Sequence, residues 1–242
     1  MDFLLEPTII ASFISLTILE IVLGIDNIIF IALLVQHLPE LQQKKARNIG
    51  IFLAFILRIA MLFGIVWIIG LKEPFITLFD HDFSGKDLMM LAGGSFLIYK
   101  ATSGIHEEVS GDLKAEYKKY SGAFFATISQ IALIDLVFSF DSIMTAVGMT
   151  EHTTIIIAAM TIAMAFMVLA ADKISEFIQT YPSLKMLALS FVMLIGLLLS
   201  IDAFGVHVPK GYIYAAMAFS LGVETLNIVR GRHNKSRNKK RV

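Results

Sequence analysis

The sequence predicts an all-α polytopic membrane protein of seven transmembrane helices, arranged as an inverted 3+3 repeat plus one extra helix. Three observations predict it. The 242 residues are 57% hydrophobic and 17% charged, with a mean hydropathy of +0.76, too apolar for a water-soluble domain of this length. Seven apolar stretches have the length that a bilayer demands. A motif of two acids lies inside the first stretch and returns inside the fourth.

The first span, Thr8–Val35, is too long and too acidic at its start for a cleaved leader, and is expected to stay as a permanent helix. It carries Glu20, Gly24, Asp26 and Asn27 near its middle. A charged carboxylate facing lipid costs about 2.5–3.5 kcal/mol, so two in one span demand a protein or aqueous partner. The second span, Ile49–Gly70, holds Arg58, read as the only cation deep in a span. The third, Asp87–Ala101, is short and contains Gly93-Gly94, which suits a tilted helix or a tight helix contact. The polar stretch from His106 to Tyr120, with Asp112 in it, alternates acid and base and is expected to form a solvated cytoplasmic helix. The fourth span, Gly122–Met149, repeats the motif as Asp135, Ser139, Asp141 and Ser142.

Thr153–Ala171, Leu184–Ile201 and Tyr212–Val229 complete the set. Glu224 and Asn227 lie in the last of them. All five prolines fall between spans, where a missing backbone N–H does least harm. Asp172 and Asp202 end their spans and are expected to face water. The six histidines lie in loops, at span ends or in the tail.

The acid motif brings neighbours with it. Leu57-Arg58-Ile59-Ala60-Met61-Leu62-Phe63 aligns with Met160-Thr161-Ile162-Ala163-Met164-Ala165-Phe166, and Leu88-Met89-Met90-Leu91-Ala92 with Leu184-Lys185-Met186-Leu187-Ala188. Three matches in one order divide a single membrane domain, 1–242, into two repeats. Repeat one covers 8–102, repeat two 122–201, the extra helix 211–229, and a basic tail 230–242. Each unit has an odd number of helices, so the second inserts upside down, an arrangement used by transporters with a midplane site. Alternate loops collect Lys44, Lys45, Arg47, Lys100, Lys114, Lys118, Lys119, Lys173, Lys185 and the tail on one side. The other side has only Lys72, Lys86 and Lys210. The positive-inside rule therefore puts the N-terminus outside and the C-terminus in the cytoplasm. The tail is read as a lipid-headgroup anchor, with no nucleic-acid partner.

Glu20, Gly24 and Asn27 share one helix face, as do Asp135, Ser139 and Ser142. Asp26 and Asp141 lie six positions past the first acids, roughly 120° away and about 9 Å along the axis. Joining all four in one site requires the helices to unwind near Gly24–Asp26 and Ser139–Asp141, with freed carbonyls as added ligands. The chain has no cysteine, which excludes disulfides, thiolate nucleophiles and Cys-bound metals. An all-oxygen set of four carboxylates, an amide and a hydroxyl suits Mn²⁺, Mg²⁺ or Ca²⁺ over Zn²⁺ or copper. Arg58 is expected to pair with one motif acid. Desolvated, mutually repelling carboxylates retain protons, so metal entry that expels them is a basis for cation/proton exchange.

These motifs, the seven spans and the segment His207-Val208-Pro209-Lys210-Gly211-Tyr212 resemble the TerC family of bacterial membrane proteins. The likeness covers essentially the whole chain and is closest to short members without CBS-type domains. The family was named for tellurium resistance; its better-supported role is manganese export, including metal supply to secreted enzymes. The resemblance implies that Glu20, Asp26, Asp135 and Asp141 are metal-site acids with Asn27 and Ser142 beside them, in a bacterial inner membrane. One relative acts in membrane-protein assembly in plastids, so an assembly or metal-delivery scaffold is the alternative. Polar glue between helices is the plainer reading of the acids, but glue is usually Ser, Thr or Asn. An intramembrane aspartyl protease needs a Gly-x-Gly-Asp signature, whereas Gly24-Ile25 and Ser139-Phe140 precede the second acids. No catalytic residues and no organic cofactor are expected. Arg58, Gly24, Ser139 and Glu224 are supporting candidates, Glu224 equally a snorkelling surface residue. The ion preference, the coupling ion and homo-oligomer formation are left open.

Overall fold

The computed structural model describes residues 7–64, 74–78, 81–110, 122–150 and 152–239. Its helices are α1 (Pro7–Val35), α2 (Glu40–Phe63), α3 (Gly85–Ser110), α4 (Ala123–Met149), α5 (Thr153–Thr180), α6 (Pro182–Asp202) and α7 (Lys210–Lys239), with β1 (Pro74–Leu78) and β2 (His81–Ser84) between α2 and α3. Among the described residues, seven helices are long and apolar enough to cross a membrane, so the chain is an all-α polytopic membrane protein. The end of the expected second span (65–70), Lys72, and the segment 111–121 with Asp112, Lys114, Lys118, Lys119 and Tyr120 lie outside the described residues, as do Lys240 and Arg241.

Local chemistry sets the helix ends. Pro39 stands at the N-cap of α2, and Pro182 at the start of α6, where no intrahelical N–H is lost. Ser84 opens α3 with a reciprocal cap. Its N–H and Oγ donate to Asp87 Oδ2 at 2.9 and 2.6 Å, and the Asp87 N–H donates back to Ser84 Oγ at 3.3 Å. Gly205, at φ 80°, turns the chain out of α6 with its N–H on Asp202 O at 2.9 Å.

The third span differs from its expected form. It is a 26-residue helix, because the polar run through His106, Glu107 and Glu108 continues α3 instead of starting a separate helix. Gly93 and Gly94 are buried in it. An antiparallel β1–β2 pair, joined in part by Thr77 Oγ1 donating to Asp82 Oδ1 at 2.6 Å, is an addition the hydropathy pattern does not reveal. It lies outside the apolar spans, where extended backbone is free to pair.

Helix α3 packs on α6, α1 on α5, and α2 on α4, while α1 also touches α4 and α2 touches α5. Exchanging the first three helices for the next three leaves this set of pairings unchanged. Two apolar clusters hold the bundle. One gathers Leu16, Leu62, Ile143 and Met160; the other gathers Ile28, Ile51, Ile131, Leu97 and Met167. Between them in sequence, on α1, α2 and α4, lie the buried polar residues Glu20, Asn27, Arg58, Asp135, Ser139 and Ser142. Helix α7 packs against α6 and leaves Phe219 and Leu226 exposed.

Asp172 is exposed, as expected for the end of a span, and also pairs with Lys44 Nζ at 3.2 Å and with Arg47 Nη2, so it ties α5 to α2. Arg47 is only 5% exposed, so Arg58 is not the only buried cation of α2. The periodicity that buries Arg47 becomes visible only once α2 starts at Glu40, about two and a half turns before the apolar run.

Candidate functional site

The polar layer is built around Arg58. Its Nη1 donates to Glu20 Oε2 at 2.7 Å, its Nε to Asp135 Oδ2 at 3.0 Å, and its Nη2 to Asp135 Oδ1 at 2.7 Å. The planar fork thus grips Asp135 with two bonds and Glu20 with a third, joining α2 to both motif helices. Asn27 Nδ2 donates to Asp135 Oδ1 at 3.1 Å, and Ser139 Oγ to Asp135 Oδ2 at 3.0 Å. Glu20 is 1% exposed and Asp135 3%, so these acids are withdrawn from lipid and water alike. Arg58 pairs with both first acids, where the sequence suggests one.

The second acids face elsewhere. Asp26 and Asp141 line a cavity of about 340 Å³ together with Asn27, Ser142 and Arg58. Lys86, Asp202 and His207 line it too, as does Tyr214 from α7. Lys86 Nζ stands 3.9 Å from Asp141 Oδ1 and 3.9 Å from Asp202 Oδ2. His207 Nδ1 meets Asp202 Oδ1. Asp202 therefore joins the cavity wall, contrary to the expectation that it faces bulk water, because the Gly205 turn folds the loop after α6 back over it.

The four motif acids do not share one cluster in this conformation. Helices α1 and α4 run unbroken through Gly24–Asp26 and Ser139–Asp141, so the expected unwinding is absent. The reason is local. A Cβ at Gly24 would stand 2.8 Å from Met167 Sδ, so this glycine admits a close approach of α5 to α1. Ser139 spends its hydroxyl on Asp135 and not on a freed backbone group. With Arg58 neutralising the first acids, no loose carbonyl is needed beside them. Among the described residues no three His, Asp or Glu side chains are placed to hold a metal ion together.

Within this polar layer, two buried oxygens nevertheless have no hydrogen-bond partner among the described residues, Glu20 Oε1 and Asn27 Oδ1. Both are acceptors, and unsatisfied acceptors in a polar membrane layer are what a cation or its hydration shell binds. Glu224 is not among the cavity-lining residues, and its Oε2 accepts from Asn227 Nδ2 at 3.4 Å on α7. The residues missed from sequence are Lys86, Asp202, His207 and Tyr214. The Ser84-x-x-Asp87 cap signature was a usable signal for Lys86, since it places that lysine in the first turn of a helix. Nothing in the pattern of α7 singles out Tyr214.

Residues 5–239 match the family described as Integral membrane protein TerC family. The UPF0053 inner membrane protein YgdQ of Escherichia coli (strain K12) is 47% identical over 220 residues, covering 91% of this chain and 92% of YgdQ. A UPF0053 protein of Haemophilus influenzae is 44% identical over 228 residues, covering 94% of this chain and 96% of its own length. The UPF0053 inner membrane protein YoaE of Escherichia coli (strain K12) is 44% identical over 234 residues, covering 96% of this chain but 45% of YoaE. No solved structure matches the chain.

Proposed function

The chain belongs to the TerC family of integral membrane proteins, and from that membership we propose that it exports a divalent metal cation, Mn²⁺ first among them, from the cytoplasm. The observation that carries the reading is the meeting of Asp26 and Asp141, one acid from each motif, on one intramembrane cavity beside Asn27 and Ser142. All four offer hard oxygen donors, and the orphan Asn27 Oδ1 is among them. Behind them Glu20 and Asp135 keep Arg58 in place. With Asp202 included, five carboxylates against the Arg58 guanidinium and the Lys86 ammonium leave a net negative charge that a divalent ion offsets.

The helix pairing that survives exchange of the two sets of three supports an inverted repeat around this cavity. With the lysine- and arginine-poor side outside, the mouth lined by Lys86 and His207 opens outward, in an inner membrane such as the one named for YgdQ. Protons released from the acids on metal entry supply the counter-flow. Transport, and no bond-making chemistry, is the activity in this reading.

The test is cellular manganese in a manganese-sensitive bacterium expressing the protein at equal membrane levels. Wild type and Glu176→Gln, a change at an exposed acid of α5, should lower manganese. Asp26→Asn and Asp141→Asn should not, because loss of one charged ligand weakens a small oxygen site by about tenfold or more. Equal manganese in all strains would sink the exporter reading in favour of an assembly scaffold.

A further inference from the structure

Two cations border the cavity, and they are held differently. Arg58 is locked by bonds of 2.7 to 3.0 Å to Glu20 and Asp135. Lys86 stands 3.9 Å from Asp141 and 3.9 Å from Asp202. Neither distance is that of a made hydrogen bond. The ammonium is suspended between a motif acid and a rim acid on a flexible stem. The base of that stem is fixed, because the Ser84–Asp87 cap anchors the first turn of α3. Its side chain is only 19% exposed, so water screens it weakly.

We propose that Lys86 is a tethered competitor of the transported cation: it neutralises Asp141 when no cargo is bound and moves onto Asp202 when a divalent cation takes Asp141. The inference rests on the cation-export reading above. An ammonium and a divalent ion on one carboxylate repel, so the side chain that yields needs a second acceptor within reach. Asp202 is that acceptor, held in place by His207. Return of Lys86 to Asp141 then drives the cargo toward the mouth, so the lysine favours release over tight capture. It also selects by charge. A divalent ion attracts the carboxylate twice as strongly as Na⁺ at equal distance, and so displaces an ammonium that Na⁺ leaves in place.

The experiment is Mn²⁺ titration calorimetry on the purified full chain. Lys86→Gln should bind Mn²⁺ about tenfold more tightly, since one positive charge near the site is gone. Lys86→Arg should stay within about twofold of wild type, because it keeps the charge. Asp202→Asn should weaken binding by about threefold in the wild-type background and do nothing beside Lys86→Gln, the non-additivity that marks two residues acting through one ammonium. Na⁺ should compete with Mn²⁺ in Lys86→Gln and not in wild type. In loaded proteoliposomes Lys86→Gln should transport more slowly despite its tighter binding, a split that a merely structural role does not produce. Should Lys86→Gln not purify as a folded protein, Lys86→Met carries the same expectations. Unchanged or weaker binding in Lys86→Gln, with binding lost in Asp141→Asn, overturns the role of Lys86 and leaves the exporter reading standing. Equal weakening by Asp202→Asn in both backgrounds makes Asp202 a direct ligand and overturns the exchange. A folded wild type that binds no divalent cation overturns the exporter reading itself.

Discussion

Arg58→Leu should lower stability by about 3–5 kcal/mol, the range seen when one partner of a buried ion pair is removed. Here the loss is felt twice. Glu20 and Asp135 are both nearly inaccessible, and each accepts from the same guanidinium. Without it two carboxylates face one another in a layer closed by the apolar clusters around Leu16 and Ile28. They must then take up protons or draw in water. The measurement is the thermal midpoint of the detergent-solubilised protein by size-exclusion stability. The triple variant Arg58→Leu/Glu20→Gln/Asp135→Asn should recover most of the loss, because neutral amides and an apolar side chain leave no unpaired charge. An Arg58→Leu protein as stable as wild type would mean that this cation does not hold the three helices together.

Gly94→Val should separate α3 from α6 and prevent assembly of a stable bundle. A Cβ built on Gly94 falls 2.5 Å from Gly196 O, 2.5 Å from Ser200 Oγ and 2.9 Å from Ser200 N. The facing glycine is equally tight, with a Cβ on Gly196 at 2.8 Å from Gly94 O. Two of the blocking atoms at Gly94 belong to backbone, so no side-chain rotation relieves the clash. Overpacking of this kind costs about 1–3 kcal/mol for added methylenes, and more where backbone must move. Gly148→Ala and Gly222→Ala are the comparisons. Among the described residues nothing lies within 4 Å of a Cβ at either position, so they should match wild type or gain slightly from helix propensity. Equal stability of Gly94→Val and Gly148→Ala would show that α3 and α6 do not meet this closely in the membrane.

Much of the molecule follows from the sequence alone. Seven spans are legible because hydropathy sums over neighbouring residues, and the thickness of a bilayer sets the length over which it must persist. The acid motifs are legible for the complementary reason: a carboxylate in an apolar run is unfavourable enough to demand a partner. Glu20, Asn27, Asp135 and Ser139 share the faces that helical period assigns them, and those faces do meet. The β1–β2 pair and the polar extension of α3 are not legible, since neither is required by a period or by the membrane.

What the sequence could not decide is which groups satisfy which. Arg58 reaches Glu20 across 38 positions and Asp135 across 77, and no local pattern encodes such a choice. The unwinding inferred from six-residue acid spacing assumes that all four acids serve one ion at once. Packing divides them instead, two on a guanidinium and two on a cavity, so an unbroken helix serves both faces. Gly24 is small because Met167 approaches it, not because the backbone breaks there. Lys86, Asp202 and Tyr214 become cavity residues only when α3, α6 and α7 are set side by side. Composition and period determine the class of the protein, its spans and its candidate acids, because those depend on the free energy of each segment in the bilayer. The pairing of charges is decided by tertiary structure, because buried ions are stabilised only by partners within a few ångströms, and distant helices supply them.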